Sequence, residues 1–98
     1  MGNVNHFVLT AVIVEAKPMR FTPAGLPALD VRLEAESQVE EAGQQRKVQV
    51  AMRAVALGAQ AERLARQSLG TVLKFTGFLA TPRNVKTVVF HIQEFQQD

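Results

Sequence analysis

The stretch Arg46–Gly70, RKVQVAMRAVALGAQAERLARQSLG, changes its hydrophobic period partway along, and that change decides the fold. In its first part Val48, Val50 and Met52 share one face, while Lys47, Gln49, Ala51 and Arg53 share the other. A period of two is that of a strand with one face turned to a core. After Gly58 the period lengthens to about 3.6, and Ala61, Leu64, Ala65 and Leu69 fall on one stripe. Glu62 precedes Arg66 by one turn, the favourable order for a helical ion pair, and Gly70 suits a helix stop. A strand followed by one short helix is predicted.

The flanking sequence supplies strands on both sides. Phe7–Val14, FVLTAVIV, is apolar at alternate and intervening positions, as in a strand buried on two sides. Met19–Pro27, MRFTPAGLP, interrupts it with the turn formers Pro23 and Gly25. Leu29–Glu36 then alternates strictly: Leu29, Val31, Leu33 and Ala35 one way, Asp30, Arg32, Glu34 and Glu36 the other. The polar Gln38–Gln45, QVEEAGQQ, is predicted to be a hairpin loop around Gly43. Downstream, Thr71–Ala80 and Lys86–Phe95 read as two further strands joined by the loop Thr81–Val85. No repeat, low-complexity tract or linker interrupts this order.

The predicted class is all-β with one short helix. A lone helix between the third and fourth of five strands is the plan of an OB-fold barrel. Small mixed folds share the order, so closure of the five strands is an expectation.

At 98 residues, the chain fits a single domain, residues 1–98, that buries roughly two-thirds of its unfolded surface. It has no cysteine, which excludes disulfides, thiolate metal sites and cysteine nucleophiles. No apolar run approaches the ~20 residues of a membrane span, and the N-terminus lacks a basic segment followed by an apolar signal core. No membrane association and a cytoplasmic location are expected. His6 and His91 are the two histidines, neither at ligand spacing from the other, and each reads as structural. There is no glycine-rich phosphate loop with its lysine and no nucleophile elbow. Glu40 and Glu41 belong to the hairpin tip. Neither catalysis nor a metal or cofactor is expected.

Charge is segregated along the chain although the net value is only +2. Asp30, Glu34, Glu36, Glu40 and Glu41 crowd one segment with Arg32 their one base. From Arg46 to Lys86 the bases are Arg46, Lys47, Arg53, Arg63, Arg66, Lys74, Arg83 and Lys86, with Glu62 the one acid. Such a distribution can build a basic surface on a nearly neutral protein. An OB barrel binds through the outer face of its second and third strands and two flanking loops. At those positions lie Arg20 and Phe21, then Arg46, Lys47 and Arg53, then Arg83, Asn84 and Lys86. Such cations suit a single-stranded backbone, because each neutralised phosphate releases counterions. Ordinary solubility also places Lys and Arg on outward strand positions and loop tips. Arg63 and Arg66 are expected merely to solvate the helix.

Stacking platforms are scarce, for the aromatics are six Phe without Trp or Tyr. Phe7, Phe75 and Phe90 lie in phase with apolar neighbours and read as core. Phe78 and Phe95 are left open between core and a dimer contact. Phe21 is the one phenylalanine in a candidate binding loop, and it is expected to pack beneath that loop.

The TPAGLP of Thr22–Pro27, the VRLE of Val31–Glu34 and the EEAG of Glu40–Gly43 carry a resemblance, as do Arg46 and Met52. So do the SLGTVLKFTGFL of Ser68–Leu79 and the FHI of Phe90–Ile92. In order, and across nearly the whole chain, they are similar to the primosomal replication protein N (PriB) family, small relatives of bacterial single-stranded DNA-binding proteins. The resemblance implies an OB-fold homodimer without catalytic activity that binds single-stranded DNA during replication restart. It implies the restart helicase PriA as a partner and, in some bacteria, the loader DnaT. It places Arg20, Arg46, Arg83 and Lys86 at or near basic DNA-contact positions.

This chain departs from the family pattern at three points. Gln44 and Gln49 stand where aromatic residues are found, and Glu36 replaces a base. Binding weaker and more salt-dependent than the family norm is expected, with a salt slope of about −2 to −3 for three or four phosphates. A general single-stranded DNA-binding protein would carry a long tail with an acidic tip, whereas the chain ends at Gln96-Gln97-Asp98 after its last strand. The remaining alternative is a protein-interaction module with little or no DNA binding.

Overall fold

A computed structural model describes residues 4–97. The strands are β1 (Phe7–Ala16), β2 (Arg20–Phe21), β3 (Pro27–Glu41), β4 (Gln44–Leu57), β5 (Val72–Ala80) and β6 (Val89–Gln97). One helix, α1 (Ala59–Ala65), stands between β4 and β5. Their neighbours run β1-β5-β6-β4-β3-β2, and an added β1–β3 pairing closes the five long strands into a barrel. Every pairing is antiparallel except β4 with β6. The expected OB plan is the observed one, with the two-residue β2 added inside the first loop.

Two irregularities make closure possible. β1 pairs with β5 through Val12 and with β3 from Val12 to Ala16, its register shifting between Ile13 and Glu15. That bulge bends the strand from one neighbour to the other. The β5–β6 ladder shifts between Thr76 and Gly77. There a Cβ on Gly77 would collide with the carbonyl oxygen of His91, so close backbone approach requires the glycine. Asn5 extends the β1–β5 ladder with its side chain, donating to the Leu79 carbonyl (2.7 Å) and accepting from the Leu79 N–H (3.0 Å).

The interior is apolar, with no buried polar or charged residue among those described. Ile13, Leu33, Leu73, Phe75 and Phe90 fill it, and α1 closes one end with Ala61 and Leu64. Phe7 meets Phe90 edge-on at 5.0 Å. Phe95, left open by sequence, is buried beside Phe75, with the Arg63 guanidinium 4.6 Å above its ring. Arg63 therefore covers the core as well as solvating the helix.

Four local expectations are corrected. Gln38–Gln45 is mostly strand: β3 and β4 stay paired out to Glu41 and Gln44, leaving Ala42 and Gly43 as a two-residue turn with φ of 53° and 79°. Val48 and Val50 alternate correctly but are exposed, because beyond Glu34 and Ala54 the described β3 and β4 pair only with each other, and no described strand packs over this side of the arm. The helix stops at Ala65, leaving Leu69 outside it and exposed. The last loop is longer than expected, since β6 begins at Val89.

Candidate nucleic-acid interface

Across the outer wall the register sets Asp30 opposite Val55, Val55 opposite His91, and His91 opposite Phe78. This row lies between two loops. The first, residues 17–26, is fixed at its base by the Lys17 N–H donating to the Asp30 carbonyl (2.9 Å). Its tip is a turn in which the Thr22 hydroxyl accepts from the Leu26 N–H (3.2 Å) and Gly25 takes a φ of 86°. The second loop, residues 81–88, is exposed throughout. Between them opens a groove of about 560 Å³, with Val55 and Val89 among its apolar walls.

The cations divide by position and by partner. Lys17, Arg20, Arg32 and Arg53 line the groove, together with the acids Glu15 and Asp30. Arg20 is held by Asp30 in a bidentate pair, Nε to Oδ2 at 2.6 Å and a second guanidinium nitrogen to Oδ1 at 3.1 Å. The hydrogen bond from Arg20 holds the Asp30 carboxyl below its usual range, and the same bond raises Arg20 further. Arg32 is 4.0 Å from Glu34. Lys17 and Arg53 make no ion pair among the described residues.

The remaining candidates lie outside the groove. Arg83 and Lys86 stand on the loop whose Pro82 and Val85 form one wall, exposed and unpaired among the described residues. Lys47 shares a strand face with Arg53, six residues along, which is roughly 20 Å at strand rise. It pairs with Glu36 at 3.4 Å. Arg46 occupies the opposite face at the arm's tip and pairs with Glu41 at 2.7 Å. Glu36 also accepts a hydrogen bond from Gln49 (2.9 Å), its cross-strand neighbour.

Phe21 does not pack beneath its loop, for it is 68% exposed. Its neighbours Arg20 and Thr22 line the groove and it does not, as expected where consecutive side chains alternate. The sequence reading missed Lys17, Arg32 and His91. Lys17 sits just past β1, and its place in the groove follows from the tertiary bond to Asp30.

The comparisons with known proteins give the family and the fold. Residues 5–94 match the model of a family described as another single-strand binding protein family. The replication restart protein PriB of Bordetella pertussis is 46% identical over 92 residues, covering 93% of this chain and 86% of that one. This chain belongs to the PriB family. The PriB of Neisseria meningitidis serogroup B is 41% identical over 98 residues, covering 99% and 97% of the two chains. Among solved structures, PriB from Ralstonia solanacearum superposes with a TM-score of 0.89 at 39% identity, covering 97% of this chain and 98% of that one. The wild-type single-stranded DNA-binding protein of Thermus aquaticus gives 0.75 at 26% identity, covering 95% of this chain and 49% of its own. The fold observed is thus the PriB-family fold.

Proposed function

We propose that this protein binds single-stranded DNA as an accessory of replication restart, a non-catalytic scaffold in the cytoplasm. The observation that carries the reading is the groove: unpaired Lys17 and Arg53 inside it, with Arg83 and Lys86 on the loop above. Single-strand binding asks for cations spaced along a backbone path over an apolar floor. Arg20 joins them when a phosphate displaces Asp30, while Arg46 and Lys47, each paired with an acid, contribute weakly from the arm. By family resemblance the working unit is a homodimer. A second surface would meet the restart helicase PriA and, where present, the loader DnaT.

The ion pairs of Arg20, Arg46 and Lys47 favour one competing reading, a protein-interaction module with little DNA affinity. Charge reversal separates the two. Arg53→Glu, alone and with Lys86→Glu, should weaken binding of a labelled single-stranded oligonucleotide by about ten-fold or more at low salt, with an unchanged melting temperature. Unchanged affinity would place the DNA elsewhere. No DNA binding by the wild type, with a clear response to the helicase, would favour the module.

A further inference from the structure

The groove has cations for phosphates, and Gln44 and Gln49 on the arm carry no ring. Among the residues lining the groove, His91 carries the one aromatic ring. Its imidazole lies parallel to the Phe78 ring, planes 8° apart and centroids 4.8 Å apart. Phe78 thus backs one side of the imidazole and limits its rotation. Both side chains are half-buried, and no hydrogen bond to another described residue engages the imidazole nitrogens. In register beside His91 lies Val55, and Val89 completes an apolar floor. Arg53 projects from the same face of β4 as Val55, two residues away.

We propose that His91, backed by Phe78, is the surface on which a nucleobase stacks when a single strand lies in this groove. The inference rests on the single-strand reading above and adds a base-contacting position to it. Stacking needs a flat polarisable face held rigid beside an apolar floor, with cations near enough to fix the adjoining phosphates. This row supplies each. The site takes any base, since every base offers a π-face, and selects bases against bare backbone.

The test compares two labelled oligonucleotides of equal length and charge, one of deoxythymidine and one of abasic tetrahydrofuran residues. His91→Leu keeps apolar cover over Phe78 but removes the flat ring, and His91→Phe keeps the ring. Wild type should prefer the base-bearing strand. His91→Leu should lose about five-fold or more on that strand and nothing on the abasic one. His91→Phe should bind within two-fold of wild type on both. The proposal is overturned if His91→Leu binds thymidine as wild type does, if both strands weaken equally, or if His91→Phe falls as far as His91→Leu. Wild-type binding to both strands alike, faded by salt, would remove the stacking site and keep the single-strand reading. Wild-type binding to neither strand would remove both. Circular dichroism melts of each variant show that the barrel is intact.

Discussion

Asp30 occupies the edge of the Arg20 guanidinium that a phosphate would take under the proposed function. Its bidentate grip neutralises a groove cation in the free protein, and both partners keep enough solvent contact for the pair to be exchangeable. Asp30→Asn should therefore cost at most about 1 kcal/mol of stability, the range of exposed pairs. It should also release Arg20 to DNA and steepen the salt slope by about 0.7. Anisotropy titrations at several salt concentrations check the second effect, and a thermal melt checks the first. The pH dependence has a definite sign. Because the folded carboxyl titrates below the unfolded value of ~3.9, its stabilisation is whole above that value and is lost as pH falls through the folded one. The Asp30→Asn variant should lack that part of the acid decline, which melts between neutral pH and pH 3 would reveal.

At the scale of elements, the bulge at Gly77 and the arm's turn are where single changes matter most. Gly77→Ala would force a methyl against the His91 carbonyl, where backbone rather than a flexible side chain must yield. A loss of at least ~1–3 kcal/mol, the usual cost of overpacking, is expected in a denaturant melt. Ala42 is the reverse case. It holds a φ of 53°, a region unfavourable to alanine, in a two-residue turn whose second position is already glycine. Ala42→Asn creates the Asn-Gly pair such turns prefer and should raise stability by up to about 1 kcal/mol, seen as a higher melting temperature.

These elements also show what the sequence made legible. Leu29, Val31 and Leu33 alternate because a core covers them, and the strand they announce is the one observed. Val48 and Val50 alternate equally well, yet they are exposed. Periodicity tells which residues share a face, not whether anything lies against it. The polar Gln38–Glu41 segment forms strand because β4 supplies its hydrogen bonds, a tertiary fact without hydrophobic signature. Leu69 fell on the helical stripe, but the chain leaves the helix after Ala65. Among groove residues, Arg20 and Arg53 could be named from type and position. Lys17 and His91 could not, because a tertiary hydrogen bond to Asp30 carries the one to the groove wall and the β4–β6 register carries the other.

Over the whole molecule, a net charge of +2 conceals an uneven surface. On its outer side the arm carries Glu34 and Glu36, offset by Arg32 and Lys47, so it would attract a strand of DNA only weakly. The groove end holds Lys17 and Arg53, with Arg83 and Lys86 on the adjacent loop. Under the proposed function, an anionic chain would be drawn to that end and held by few contacts.

The measurement that bears most directly on this account is anisotropy of a labelled single-stranded oligonucleotide titrated with protein across a range of salt, beside a duplex of the same sequence. The account predicts saturable binding that favours the single strand and weakens with salt at a slope of about −2 to −3. Equal affinity for duplex, or no binding even at low salt, would contradict it.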